Sequence, residues 1–190
     1  MARKAVKKSI LCEHCDRRFV PDNARLKLQV CPYEDCGKTT GGPKLDIPTA
    51  KSRAWREFAD YIKLRDAEWT NKGGKTILAC ICVTCGDLIE YGSSDLHAGH
   101  WLGGRTKGVL FSPAGCHGQC RSCNYGMSKP RSNVTDRYTA YMFEHYGKDI
   151  CKQLIEKKLK GAGSWTVVEL ETVREVYAKK CAERRVKLGL

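Results

Sequence analysis

The sequence predicts a small, irregular α+β protein that is held together in part by bound metal. Its 190 residues allow one or two small domains. Apolar residues at helical spacing flank a glycine-rich central segment, residues 71–134, in which Thr76–Cys82 and Leu88–Tyr91 are strand-like. The chain also has 12 cysteines, most of them in short-spaced pairs that are typical of metal ligands.

Composition changes along the chain predict its domain organisation. Residues 1–38 are a basic tail with a first cysteine quartet, and residues 39–48, which contain two glycines and two prolines, are a linker. Residues 49–134 begin with a helix over 49–70 and continue into the central segment. The predicted apolar face of that helix consists of Trp55, Phe58, Ala59 and Ile62.

Residues 135–190 are predicted to be helical again. Gly147 is a plausible stop for the first of these helices, and a second runs from about Ile150 to Gly161. Thr166 and Glu169 match a capping box, which predicts the start of a last helix. The core positions follow at helical spacing: Tyr138, Tyr141, Met142 and His145 in the first helix, and Leu170, Val173, Tyr177 and Cys181 in the last.

The charge balance favours a polyanionic partner. Lys and Arg total 34 against 21 Asp and Glu, a formal net charge of +13, and nucleic acid is the usual partner of such a chain; a solvated basic surface is the alternative. The segment Leu96–Thr135 contains no acidic residue, so it should attract phosphate. Its basic side chains are the candidate DNA contacts: Arg105, Lys107, Arg121, Lys129 and Arg131.

No apolar run is long enough to cross a membrane, and the basic N-terminus lacks the apolar stretch of a signal peptide. We therefore expect no membrane partner and a cytoplasmic location. Cysteines in a reducing compartment are more often metal ligands than disulfides.

The cysteine spacing predicts two structural zinc sites. Short C-x-x-C knuckles deliver two thiolates at a time to a tetrahedral ion. The first quartet is Cys12, Cys15, Cys31 and Cys36, and the second is Cys82, Cys85, Cys120 and Cys123. The remaining cysteines have no partner at ligand spacing and are expected to be buried apolar thiols: Cys80, Cys116, Cys151 and Cys181.

The candidate catalytic residues lie within the second quartet. If zinc joins its two knuckles, His97 and His100 come near Asn124, which directly follows Cys123. A histidine can accept a proton from water near neutral pH, and a second imidazole with an amide oxygen can hold a divalent ion. These groups suffice for phosphodiester hydrolysis, although histidines in an H-x-x-H pair are often core or zinc-site residues.

The sequence resembles the phage NinG (Rap) recombination endonucleases, which belong to the His-Me finger (HNH-like) nucleases. The resemblance is carried by C-V-T-C-G (82–86), D-L-H-A-G-H-W (95–101), H-G-Q-C-R-S-C-N (117–124) and W-T-V-V-E-L (165–170). It implies a zinc-clamped ββα nuclease core with an N-terminal four-cysteine finger and flanking helices.

The resemblance also implies residue roles. It makes His100 the general base and Asn124 a ligand of a catalytic divalent cation, Mg²⁺ or Mn²⁺ or another transition ion. The family commonly has D-A-G-H where this chain has His97-Ala-Gly-His100, so His97 or Asp95 is the further ligand, and His117 is an alternative. Gly115 stands where such nucleases tend to have Asn.

The implied substrates are branched recombination intermediates, such as four-way junctions and displacement loops, and a phage protein of this kind would act in the bacterial cytoplasm. Junction symmetry makes a homodimer attractive, with the closing helices as its interface. Two other function classes compete with the endonuclease: a non-catalytic zinc-finger DNA-binding protein, and a protein-interaction scaffold of two zinc modules.

Overall fold

The computed structural model divides the chain into two units, Met1–Asp46 and Ile47–Leu190. It describes residues 46–103, 106–129, 132–161 and 163–190, together with four short strands of the first unit. Those strands form two antiparallel pairs: β1 (Ile10–Leu11) with β2 (Arg18–Phe19), and β3 (Gln29–Val30) with β4 (Thr39–Thr40). Several predicted site residues lie outside the described residues: Cys12, Cys15, Cys31, Cys36, Arg105 and Arg131.

The second unit begins with helix α1 (Ile47–Arg65), which is shorter at its C-terminus than predicted. Phe58 and Ile62 of the predicted apolar face are fully buried. The prediction of helix as far as residue 70 is wrong, because Ala67–Lys72 forms strand β5 and pairs with β6 (Lys75–Ile81). Gly73 and Gly74, with φ of 60° and 81°, make the tight turn of this hairpin, a conformation that glycine adopts readily.

A third strand, β7 (Leu88–Glu90), pairs with β6, so the two predicted strands of this region are confirmed with small changes at their ends. The chain then forms a second, two-stranded sheet from β8 (Leu96–His100) and β9 (Cys116–Cys120). Helix α2 (Arg121–Gly126) starts directly after β9. The described part of this unit is thus a small α+β fold with a hairpin followed at once by a helix.

Two long helices complete the second unit. Helix α3 (Val134–Lys160) is interrupted at Gly147, whose φ of 75° is not helical, as the predicted stop requires. Helix α4 (Val167–Leu188) starts at the predicted capping box, in which the Glu169 N–H donates to Thr166 Oγ1 and the Thr166 N–H donates to Glu169 Oε2. No helix among the described residues is long and apolar enough to cross a membrane.

The β8–β9 hairpin lies between two pairs of helices. On one face, Cys116 packs with Phe58 and Ile62 of α1 and Tyr177 of α4. On the other face, His117 meets tyrosines of α3, and Gly99 lies beside a side chain of α2. The four cysteines predicted to be apolar thiols are all buried: Cys80, Cys116, Cys151 and Cys181.

The end of α1 holds the hairpin through an Arg–Asp pair. The Arg65 guanidinium donates to the carbonyl oxygens of Pro113 (2.7 Å) and Cys116 (2.9 Å), and it binds the carboxylate of Asp66. Asp66 Oδ2 in turn accepts the Gly118 N–H at 2.8 Å. These bonds fix β9 to α1 and thereby set the position of the residues that β9 carries.

Candidate metal centre and adjoining site

The four cysteines of the second quartet converge on one point. Cys82 and Cys85 lie in the turn after β6, Cys120 ends β9, and Cys123 lies in α2. Their sulfur atoms all lie within 4.8 Å of one another, and the Cys85 and Cys120 sulfurs are 3.8 Å apart. Four sulfurs about 2.3 Å from a tetrahedral zinc ion are separated by ~3.8 Å. The cluster could therefore hold a metal ion such as zinc.

Backbone N–H groups favour the thiolate form of Cys82, whereas burial raises the pKa of Cys85 and Cys123. The Cys120 N–H donates to Cys82 Sγ at 3.3 Å, and the Cys123 N–H donates to Cys120 Sγ at 3.4 Å. Burial on its own raises the pKa of the Cys82 thiol, but hydrogen bonds from the backbone of Cys120, Cys85 and Thr84 outweigh it, and the pKa is lowered. Thiolate is the form that binds zinc.

The β8–β9–α2 unit brings His97 and Asn124 together. Asn124 Nδ2 donates to His97 Nδ1 at 2.9 Å, and the other ring nitrogen, Nε2, lies 3.2 Å from the carbonyl oxygen of Ser94. Because a carbonyl can only accept, Nε2 carries the proton and Nδ1 carries the lone pair. In this arrangement the Nδ1 lone pair accepts the Asn124 N–H; the ring nitrogen and the amide oxygen of the same two residues are donor types that suit a divalent cation.

His100 lies on the other face of the hairpin. Side chains alternate along a strand, so residues 97 and 100 point in opposite directions. The half-buried ring of His100 stacks on Trp55, with centroids 5.1 Å apart, and its Nε2 donates to the carbonyl oxygen of Leu110 at 2.9 Å. The expected convergence thus holds for His97 and Asn124 but not for the ring of His100.

The two alternative ligands lie in different surroundings. His117 is buried, with Nδ1 2.8 Å from the Tyr138 hydroxyl and Nε2 2.7 Å from the Tyr146 hydroxyl, so both ring nitrogens are used within the core. Burial, helped by the nearby Arg65 charge, lowers its pKa to about 4. The exposed Asp95 carboxylate lies 3.9 Å from the guanidinium of Arg121. These placements favour His97 as the partner of Asn124.

The described candidate DNA contacts divide into exposed and engaged side chains. Arg121 and Lys129 are exposed, at the start of α2 and just after its end. Lys107 is engaged: its ammonium group donates to both carboxylate oxygens of Glu169, at 2.7 and 2.9 Å, and to the carbonyl oxygen of Ser164. The bond from Lys107 and the capping bonds from Thr166 lower the pKa of Glu169 to about 2. Lys107 therefore fastens the β8–β9 connection to α4.

Sequence reasoning missed two residues of this site. Gln119 is a residue of β9 whose side chain is fully buried, and its Nε2 donates to Thr84 Oγ1 at 2.6 Å. Gly99 leaves the space that Gln119 and Asn124 fill, because a Cβ there would lie 1.8 Å from Gln119 Oε1 and 3.0 Å from Asn124 Oδ1. Two features of the sequence could have indicated these residues: the alternation of side chains between the two faces of β8, and the position of Gln119 directly before Cys120.

The fold and site define a small α+β protein whose hairpin–helix unit is joined to a four-cysteine cluster. Residues 51–186 match the family described as Bacteriophage Lambda NinG protein, and the chain belongs to this family. The match begins at the fifth residue of α1, covers β5 to β9, α2 and α3, and ends two residues before the end of α4. No curated protein and no solved structure matches the chain.

Proposed function

We propose that this protein is a metal-dependent, structure-selective DNA endonuclease of the His-Me finger type, which hydrolyses phosphodiester bonds in branched recombination intermediates. The observation that carries the proposal is the β8–β9–α2 unit, in which His97 Nδ1 and the Asn124 amide face each other at 2.9 Å beside the cysteine cluster. A hairpin followed by a helix, with donors on both, is the arrangement that the resemblance of the sequence implies.

The donor chemistry fits a catalytic divalent cation. An imidazole nitrogen and an amide oxygen can hold Mn²⁺ and similar ions and leave positions open for phosphate and water. Such an ion would stabilise the charge that develops on the phosphate and the leaving oxygen. Within the chain, His97 and Asn124 would hold it, and the bond from His97 Nε2 to Ser94 keeps the ring in the binding tautomer.

His100 is assigned the role of general base. Its Nε2 donates to the Leu110 carbonyl, which lies in the connection between the two strands, so the lone pair of the neutral ring is at Nδ1. Since His97 and His100 are on opposite faces, a phosphodiester that uses both would have to be reached from both faces of β8.

The charge distribution supports a nucleic-acid substrate. The chain has a formal net charge of +13, and Arg121 and Lys129 expose their side chains on the α2 side of the hairpin, close in sequence to Asn124. Phosphate contacts of this kind position a duplex without reading bases. Membership of the NinG family supports branched DNA as the substrate, and a homodimer would present two such sites to a junction.

One observation favours a second function, a non-catalytic zinc-dependent DNA-binding protein. The His100 ring stacks on Trp55 and lies 6.4 Å, centroid to centroid, from Phe58, contacts that a purely structural histidine would also make. In that case His100 would stabilise the packing of α1 on the hairpin, and no hydrolysis would occur.

Single-turnover cleavage and binding titrations on the same four-way junction separate the two functions. With Mg²⁺ or Mn²⁺, the parent should cut the junction faster than a linear duplex. His100→Ala should bind the junction almost normally and cut it ~10²–10⁴-fold more slowly, the usual cost of losing a positioned base. His97→Ala should raise the metal concentration needed for cleavage.

His145→Ala is the matched control: contrary to the prediction of a core position, this histidine of α3 is exposed, and it stacks on Tyr141 and has no role in the proposed chemistry. It should leave both rate and affinity unchanged. Cleavage by His100→Ala at the parental rate would remove His100 from the mechanism. A parent that binds the junction but never cuts it with any divalent ion would establish the non-catalytic function.

A further inference from the structure

Gln119 has a buried acceptor without a hydrogen-bond partner. The side chain is fully buried, and its Nε2 is bound to Thr84 Oγ1 at 2.6 Å. Among the described residues, however, no donor reaches Gln119 Oε1. Buried amide oxygens are almost always paired, since leaving one unpaired forfeits its hydration without replacement. The position of this oxygen therefore calls for a physical explanation.

The unpaired oxygen of Gln119 and the amide oxygen of Asn124 both lie beside Gly99. Gln119 Oε1 and Asn124 Oδ1 lie 1.8 Å and 3.0 Å from the same point, which is the position a Cβ would take at Gly99. Both atoms are acceptors as the two amides stand, so a hydrogen bond between these side chains requires that one of the amides turns. If Gln119 turns, the Thr84 hydroxyl donates to Oε1 and the metal site gains nothing; if Asn124 turns, its oxygen is directed to His97. On its opposite side, the Asn124 amide uses Nδ2 to donate to His97 Nδ1.

Turning the Asn124 amide by 180° exchanges its oxygen and nitrogen without changing its shape. Nδ2 would then point toward Gln119 Oε1 and could donate to it. Oδ1 would point toward His97 Nδ1, so two lone pairs would face one another, and a metal ion bound by both atoms, or a proton on Nδ1, makes that arrangement favourable. The two orientations of one amide thus correspond to a metal-free and a metal-binding state of the same pair.

We propose that Gln119 is a positioning residue for the divalent-cation site: its Oε1 accepts a hydrogen bond from Asn124 Nδ2 and so holds Asn124 Oδ1 toward the cation that His97 shares. This inference rests on the metal site of the proposed function. In this proposal the cysteine cluster also helps to position Gln119, because Thr84 lies between Cys82 and Cys85 and Gln119 precedes Cys120. The Thr84–Gln119–Asn124 chain of side chains therefore links the zinc-type cluster to the catalytic donors.

Binding of Mn²⁺ to the full-length, zinc-loaded chain without DNA tests the proposal. Water-proton relaxation enhancement follows Mn²⁺ into the millimolar range, and zinc content and circular dichroism report the fold. Gln119→Met has a similar shape and no acceptor, and it should weaken Mn²⁺ binding ~10–100-fold, the usual cost of losing a group that orients a ligand. Gln153→Met, at an exposed glutamine of α3, should leave Mn²⁺ binding unchanged.

An Asn124→Asp background separates positioning from a merely structural role. The aspartate has no N–H to donate, so adding Gln119→Met to it should not weaken Mn²⁺ binding further. The same loss in both backgrounds would overturn the proposal, as would parental Mn²⁺ binding by Gln119→Met alone. If Gln119→Met fails to fold, Gln119→Glu keeps an acceptor at this position and must retain Mn²⁺ binding; its loss would also overturn the proposal.

Mn²⁺ binding and junction cleavage by the parent protein separate the proposed nuclease function from the proposed role of Gln119. A parent that binds no Mn²⁺ and cleaves no junction would refute the proposed function and the role of Gln119 with it. A parent that binds Mn²⁺ and cleaves, alongside a Gln119→Met variant with parental affinity for Mn²⁺, would refute only the role of Gln119.

Discussion

Arg184 of α4 closes the C-terminal end of α1, and its removal should destabilise the second unit. Its Nε donates to the Leu64 carbonyl at 3.0 Å, and its Nη2 donates to the carbonyls of Arg65 (3.2 Å) and Ala67 (3.1 Å). The last carbonyls of a helix have no partner within the helix, and a cation there also interacts favourably with the helix dipole. Arg184→Met keeps the apolar stem of the side chain and removes every one of these bonds.

The expected loss follows from the kind of bond removed. Hydrogen bonds to a charged group contribute about 1.5–3 kcal/mol net, and the dipole interaction contributes ~0.3–1 kcal/mol. Because the freed carbonyls can regain water in part, we expect Arg184→Met to lower the free energy of unfolding by about 2–4 kcal/mol. Domains of this size are stable by only about 5–15 kcal/mol, so the loss is a large one.

Equilibrium urea unfolding of the zinc-loaded protein measures this change. Lys179→Met, at an exposed lysine of the same helix, is the matched control and should change the free energy of unfolding by no more than about 0.5 kcal/mol. Arg184→Lys should fall between the two, because one ammonium group cannot reach all three carbonyls. Equal free energies of unfolding for Arg184→Met and Lys179→Met would refute the stabilisation of the C-terminal end of α1 by Arg184.

Two further predictions concern metal and pH. Elemental analysis of the folded chain should give two zinc ions. Cys120→Ser should lose one of them and unfold the second unit, since structural zinc contributes on the order of 10 kcal/mol to folding. One zinc ion or none in the folded parent would contradict the prediction of two zinc sites. His117 has a pKa of about 4 against an ordinary 6.5, so the stability it contributes is complete above pH 6.5 and decreases as the pH falls toward 4, by up to ~3 kcal/mol. His117→Gln should show a flatter decrease in urea unfolding over that range, and an unchanged slope would exclude His117 as its cause.

Short-range signals in the sequence were sufficient for much of the fold. The spacing of Cys82, Cys85, Cys120 and Cys123 predicted the cluster, and Gly147 and the Thr166 capping box predicted helix boundaries that the structure confirms. The helix boundaries depend on a few neighbouring residues, and the cluster depends on two short knuckles whose spacing identifies them although they are 35 residues apart. The predicted helix over 49–70 was too long because no proline or glycine separates α1 from β5. The first such residues are Gly73 and Gly74, which form the turn of the β5–β6 hairpin.

The site could be predicted only in part, because its geometry depends on strand parity and on distant partners. His97 and His100 are close in sequence, but a strand turns them to opposite faces once β8 pairs with β9. Lys107 was a reasonable phosphate contact by charge alone, yet Glu169, 62 residues away, takes up its ammonium group. Neither outcome follows from composition or from the spacing of motifs.

The cysteine cluster and the candidate catalytic pair belong to one continuous piece of structure. The Val83 N–H in the cluster turn donates to the Gly118 carbonyl of β9 at 3.0 Å, and Gly118 is also held by Asp66 at the end of α1. Gln119 comes next in the chain and lies, like Asn124, beside Gly99; Asn124 directly follows Cys123 of the cluster. Without a bound ion, the two knuckles are joined by hydrogen bonds such as that from Val83, which contribute far less than a structural zinc ion. Zinc removal should therefore abolish the alignment of His97 with Asn124 as the second unit unfolds.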